Sequence, residues 1–225
     1  MLQNSQNSLF VSCQAKPKSF MNRPDVLLSI AKDVISAGAF GIRAEGIDNL
    51  IGMIESLDVP VISLVKTNFD DGSVCITRKM SQIEKLIQIG SKLIAIDGTE
   101  RVHEGLTGPK LISMVKKKFP EIAIVADISI IEEAKKSIDF GADYVATTLN
   151  GYTPWTIPRS CKNFDFNFLD SLCSEMKLKQ IIAEGRICEP KTISKIFEYD
   201  IHSVVVGKAI TDPSYITSCF LNQKL

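Results

Sequence analysis

The six residues FGADYV (140–145) form a junction between two kinds of local order. Before them, IIEEAKKSIDF (130–140) spaces its apolar residues three and four apart, the period of one helix face. After them, DYVATTL (143–149) is a short β-branched and aromatic run, the composition of a buried strand. Gly141 stands between, where a chain leaving a helix turns left-handed and a residue without Cβ fits best. The same junction recurs at AGAFGI (37–42) and IGSKLI (89–94). Near the chain's end YDIHSV (199–204) carries Asp200 where the glycine is expected, which predicts a turn built differently.

Working outward, strand-like runs occur at 8–14, 40–46, 59–66, 92–98, 122–128, 143–149, 180–186 and 202–208. Helix-periodic segments such as PDVLLSIAKDVISAG (24–38) and SQIEKLIQIG (81–90) lie between them, so each strand is followed by a helix. Alternation of this kind implies a parallel sheet. Eight units of roughly 28 residues fit a closed (β/α)8 TIM barrel better than an open doubly wound sheet. No G-x-G-x-x-G follows the first strand, which removes the main support for dinucleotide binding. Residues 1–225 read as one domain. The proline-rich TPWTIPRSCKNFDF (153–166) predicts a long loop after the sixth strand, a candidate lid.

The composition narrows the partners. Lys plus Arg and Asp plus Glu both number 26, so no sequence-wide basic field draws in nucleic acid or anionic lipid. With 45% hydrophobic residues the chain can bury a large core, yet no window reaches the ~18 apolar residues of a membrane span. The start, MLQNSQNSLFVSCQ, lacks the pattern of a signal peptide, and a cytoplasmic protein is expected. Six cysteines (Cys13, Cys75, Cys161, Cys173, Cys188, Cys219) contain no C-x-x-C pair, which argues against zinc and disulfides and for apolar fillers. No metal site and no cofactor are expected.

In a TIM barrel the strands' C-terminal ends and the loops after them form the active face. Here those ends carry Gln14, Arg43, Lys66, Asp97, Asp127, Thr147, Glu184 and Gly207. Individually these have structural readings: Arg43 with Glu45 as a rim ion pair, Asp97 and Asp127 as caps of the next turn. Together, a ring of polar groups around one cavity is costly without a polar ligand. Phosphate is the first ligand inferred, held by the loops after strands seven and eight. There Gly185 and Gly207 allow close main-chain approach, and Arg186 and Lys208 add positive charge. The run VPVISLVK (59–66) ends a buried strand on Lys66, whose ammonium must sit in a solvated mouth, pair with an acid, or do chemistry with a shifted pKa.

The ordered pieces VSCQ, IRAEGIDNL, VPVISLVK, IAIDGTER, VADIS, ATTLNGYT, IAEGRI and VVVGKAIT resemble bacterial N-acetylmannosamine-6-phosphate 2-epimerases across residues 8–211. The resemblance implies a TIM barrel, usually a homodimer, that interconverts N-acetylmannosamine 6-phosphate and N-acetylglucosamine 6-phosphate in sialic acid catabolism. It implies that Lys66 and Glu184 are catalytic, that Gln14, Arg43 and Asp127 contact the sugar, and that the glycines after strands seven and eight hold the phosphate. Proton removal next to a carbonyl needs a base near neutrality, a role that fits Lys66. Glu184 would serve ring opening, orient the substrate or return the proton. The sequence departs from the family at Asp212, where an arginine is usual, at VHEGL (102–106) and in the longer loop after strand six. The alternatives are an inactive sugar-phosphate-binding barrel, another sugar-phosphate isomerase, or an aldolase with a Schiff-base lysine.

Overall fold

The structure, a computed structural model, describes residues 8–159 and 163–222 of the chain. Its strands are β1 (Ser8–Ser12), β2 (Gly41–Glu45), β3 (Val61–Leu64), β4 (Lys66–Asn68), β5 (Val74–Ile76), β6 (Leu93–Asp97), β7 (Ala123–Asp127), β8 (Tyr144–Ala146), β9 (Ile181–Glu184) and β10 (Ser203–Val206). All but β4 and β5 close into one parallel barrel, running β1, β2, β3, β6, β7, β8, β9 and β10 around to β1 again. The helices outside it are α1 (Pro24–Ser36), α2 (Ile47–Ser56), α3 (Met80–Gln88), α4 (Gly108–Lys118), α5 (Ile131–Asp139), α6 (Phe166–Glu175), α7 (Pro190–Phe197), a single turn α8 (Lys208–Thr211) and α9 (Pro213–Leu221). This is the (β/α)8 TIM barrel read from the alternation.

Side chains alternate across each strand, and the two cores follow that period of two. Val11, Ile42, Ala44, Ile94, Ile96, Ile124 and Ala126 face the helices, meeting Leu27, Leu50, Leu86 and Val115. Phe10, Ile62, Leu64, Leu93, Ala95, Val125, Ile182 and Val205 fill the barrel. Gly41 makes room there, since a Cβ on it would stand 2.6 Å from the Phe10 ring and 2.5 Å from the Pro60 carbonyl oxygen. Counting on by two from the inward residues gives Asp97 after Ala95, Asp127 after Val125 and Glu184 after Ile182, while Arg43 lies between outward Ile42 and Ala44. The same alternation that packs the barrel thus aims these charges into its upper end.

Gly38, Gly90 and Gly141 all take positive φ after their helices, as the junctions predicted. The eighth turn corrects the sequence reading. Asp200 occupies the same place, three residues before β10, with φ of 53°, so the turn is built like the others by a residue that tolerates the left-handed region. Lys179 Nζ fixes it, donating to the Asp200 carbonyl and carboxylate at 2.8 and 2.6 Å.

A second correction concerns Lys66. The barrel strand stops at Leu64, and Lys66 opens an antiparallel hairpin, β4 with β5, in which it faces Ile76. Strand-then-helix alternation is interrupted here. Val65 and Thr77 close the hairpin's base, Val65 N donating to Thr77 Oγ1 (3.0 Å) and Thr77 N to the Val65 carbonyl (2.9 Å). At its tip Gly72 has φ of 81° and Asp71 Oδ1 accepts from Ser73 N, the turn chemistry of an Asp-Gly pair.

Candidate active site

The C-terminal mouth of the barrel opens into a cleft of about 770 Å³, lined among others by Gln14, Lys66, Glu184, Gly185, Gly207 and Lys208. Beneath its floor lies Arg43, 1% exposed and the largest fully buried side chain described. Its Nη2 donates to Asp127 Oδ2 at 2.7 Å and its Nη1 to Asp127 Oδ1 at 3.0 Å. The same Nη1 pairs with Glu184 Oε2 at 2.9 Å. The rim pair between Arg43 and Glu45 is therefore replaced by a buried triad spanning β2, β7 and β9. Burial disfavours the guanidinium's charge, but the two carboxylates outweigh it and hold the proton more firmly than usual.

Glu184 is the triad member that reaches the cleft. Its backbone is clamped by Thr147, whose Oγ1 accepts from Glu184 N (2.9 Å) and donates to the Glu184 carbonyl (2.7 Å). The clamp carries on where the β8–β9 ladder stops at Ile182. Burial raises the Glu184 pKa above the ordinary carboxylate range; Arg43 pulls it down, Asp127 pushes it up, and Thr148 and Lys66 pull it down. Lys66 moves the opposite way. Crowding by the barrel wall lowers its pKa first and Arg43 second, against the pull of Glu45, Glu184 and Asp127. Because the Lys66 side chain stays open to the cleft, solvent tempers that shift.

Gln14 leans over the same space with its Oε1 buried and without a protein partner among the described residues, so it has an acceptor to offer. Gly185 has φ of 106°, a conformation that requires glycine, and Gly207 immediately precedes α8. Arg186 is engaged elsewhere: its Nη2 donates to the Asn150 carbonyl and Oδ1 at 2.7 and 3.1 Å, and its guanidinium lies 5.1 Å from the Tyr152 ring. Lys208 Nζ lies 4.4 Å from the Tyr215 ring. Asp212 Oδ1 caps α9 by accepting from Tyr215 N, while its Oδ2 pairs with Lys16 Nζ at 3.7 Å. Lys16, which the sequence reading passed over, lies two residues beyond Gln14 and brings a cation to the same end of the cleft.

Asp97 is set apart from this group. It accepts from Thr99 N and Oγ1 and pairs with Arg101 Nη2 at 2.6 Å, so its turn-capping reading holds. Cys13 is a buried filler, its thiol pushed up to about 12 by burial. The loop after β8 is pinned to the loop after β7: Trp155 Nε1 and Thr153 Oγ1 both donate to Ser129 Oγ, at 3.0 and 3.1 Å. Its residues 160–162, part of the candidate lid, lie outside the described residues. Thr148, the other residue missed, bonds both triad carboxylates.

A (β/α)8 fold whose mouth sets a lowered amine and a raised carboxyl over one buried arginine has the groups that a proton-moving enzyme for small substrates needs. Residues 27–224 match the family model "Putative N-acetylmannosamine-6-phosphate epimerase". A protein of Clostridioides difficile (strain 630) named "Putative N-acetylmannosamine-6-phosphate 2-epimerase" is 36% identical over 222 residues, covering 98% of this chain and 97% of that one. The like-named protein of Staphylococcus aureus (strain Newman) is 34% identical over 96% of both chains. The solved N-acetylmannosamine-6-phosphate 2-epimerase from Clostridium perfringens superposes with a TM-score of 0.90 at 32% identity, over 99% of this chain and 95% of that one. The chain belongs to the N-acetylmannosamine-6-phosphate epimerase family, and the resemblance read from its motifs is correct. A thiamine phosphate pyrophosphorylase from Pyrococcus furiosus, with a TM-score of 0.59 at 13% identity, shares the fold alone.

Proposed function

We propose that the chain is an isomerase that interconverts N-acetylmannosamine 6-phosphate and N-acetylglucosamine 6-phosphate by removing and returning the proton at C2. The observation that carries the mechanism is that Lys66 and Glu184 line one cleft above the buried Arg43, where burial lowers the pKa of the amine and raises that of the carboxyl. Arg43 and Asp127 together are neutral, and so is a Lys66–Glu184 pair sharing one proton. Burial favours the form with fewer charges, an amine without its proton and a carboxyl with one. That form is ready to act in both directions: Lys66 takes the C2 proton of the open-chain sugar, and Glu184 supplies a proton at an oxygen. Arg43 then stands beneath the site as fixed positive charge while negative charge develops on the substrate.

Gln14 offers its unpartnered Oε1 to a sugar hydroxyl or the acetamido N–H. The main chain at Gly185 and Gly207 receives the phosphate, with Lys208 and Lys16 as cations and Arg186 holding the Gly185 loop through Asn150. Arg43 and Asp127 shape the sugar site from below. We place the reaction in sialic acid and amino sugar breakdown in the cytoplasm. Among the described residues no helix is long and apolar enough to cross a membrane, and the charge balance favours neither nucleic acid nor lipid. A homodimer is supported by α9, which has no buried residue and leaves Phe220 77% and Leu221 57% exposed. The test is a coupled assay on both phosphorylated sugars and their unphosphorylated forms. Turnover of the phosphorylated pair alone is expected, because remote phosphate binding fixes the reacting end; equal turnover of both forms refutes the phosphate assignment.

A further inference from the structure

The half-buried Thr148 hydroxyl has one proton and two carboxylate neighbours: Asp127 Oδ1 at 2.6 Å and Glu184 Oε2 at 3.0 Å. A single O–H cannot serve both fully. With both carboxylates ionised, one contact would set lone pairs face to face in a buried site. The conflict is resolved when Glu184 carries a proton: its O–H points to Thr148 Oγ1, and the Thr148 proton goes to Asp127 across the shorter distance. We propose that Thr148 is a positioning residue: the Glu184 O–H swings from Thr148 to a substrate oxygen, and as it gives up its proton there Thr148 turns its own hydroxyl proton from Asp127 to the Glu184 oxygen left behind. Asp127 tolerates the loss because both its oxygens remain held by Arg43. The bond that Thr148 donates to Glu184 is then made only after proton transfer has begun, so it stabilises the transition state and product side rather than the resting enzyme.

The groups facing Glu184 from the surrounding strands are Arg43 on β2, Lys66 on β4, Asp127 on β7 and Thr148 after β8. Of these, Thr148 alone is not ionisable, so removing it changes hydrogen bonding without changing net charge. The proposal rests on the epimerase reading for its catalytic consequence, but the hydroxyl's effect on Glu184 can be measured without turnover.

The experiment is a carbon-13 NMR titration of carboxyl-labelled enzyme, with the Glu184 signal assigned by its loss in Glu184→Gln. Thr148→Val is expected to titrate at higher pH than wild type, because the ionised carboxylate has lost its donor. Thr148→Ser is expected to follow wild type, and Thr148→Ala, a second hydroxyl-free variant that tolerates a packing fault at the γ-methyl differently, to follow Thr148→Val. For turnover, loss of one bond to a charged group predicts kcat about tenfold lower in Thr148→Val, with KM within about twofold. Superimposed titrations of wild type and Thr148→Val overturn the proposal. So does a serine variant that behaves like valine, which would assign the effect to the methyl group. A titration shift in a wild type that fails to epimerise leaves the hydroxyl's role standing and removes the activity, and epimerisation without any shift does the reverse.

Discussion

Replacing Arg43 with Met removes the guanidinium beneath the site and keeps an unbranched side chain of similar reach. Arg43 makes three close contacts, at 2.7, 3.0 and 2.9 Å, to two carboxylates that are 0% and 14% exposed. Removing one side of a buried pair costs about 3–5 kcal/mol, because the charge left behind stays desolvated. For a chain of this length that is a fall in Tm of roughly 6–20 °C. The pH dependence has a definite sign. Glu184 titrates above its ordinary range in the native fold, and loss of Arg43 raises it further, so the folded variant binds that proton more tightly than the unfolded chain. The deficit is therefore largest above the folded titration point and shrinks as pH falls through it. Urea unfolding of wild type and variant at neutral and acidic pH measures both features. A triple variant, Arg43→Met with Asp127→Leu and Glu184→Leu, should regain most of the lost stability, since apolar replacement of a whole buried ion cluster is often neutral or better. A loss under about 1 kcal/mol in Arg43→Met, or a loss independent of pH, would refute the view that the triad is electrostatically closed.

Lys66→Ala should abolish both epimerisation and solvent deuterium uptake at C2 while leaving the unfolding midpoint near wild type, because the side chain is exposed on a hairpin rather than packed in the barrel; Lys66→Arg should be nearly as inactive, and substantial activity in it would move the base to Glu184. Gly207→Val, whose Cβ would stand 3.4 Å from Ser12 Cβ, should raise KM more than it lowers kcat, and unchanged KM places the phosphate elsewhere. Asp200→Ala should destabilise by about 1 kcal/mol through left-handed strain and loss of the Lys179 contact to the carboxylate, whereas Asp200→Gly should stay within about 0.5 kcal/mol of wild type in the same urea assay.

The barrel was legible because its signals are local. Helix period, a left-handed residue and an apolar run repeat within a few positions, and the period of two then aims Arg43, Asp127 and Glu184 inward without knowledge of their partners. The β4–β5 hairpin was missed for a reason of the same kind. Lys66, Thr67 and Asn68 are all exposed, so they show no apolar alternation, and the Asp-Gly turn at 71–72 was the remaining signal. Thr148 escaped notice because its role depends on Asp127 and Glu184, which are 21 and 36 residues away. Asp212 shows the limit from the other side. Sequence reading saw a lost cation near the phosphate, but only the fold brings Lys16 across to pair with it.

The buried triad connects these levels. A TIM barrel interior is ordinarily filled by branched apolar side chains, and nothing in barrel closure requires an arginine at position 43. Retaining it there commits the fold to two carboxylates and, through them, to a site whose stability depends on pH. What the commitment provides is a centre with an even balance of charge, in which one proton can rest on Glu184 or on Lys66 without the cluster's net charge changing. An epimerase must run in both directions, with Lys66 exchanging a proton at C2 and Glu184 exchanging one at an oxygen, so neither form of the pair can be far more stable than the other. Burial narrows the gap between them, raising the Glu184 pKa and lowering that of Lys66, whereas Arg43 lowers both and so leaves the balance where burial sets it.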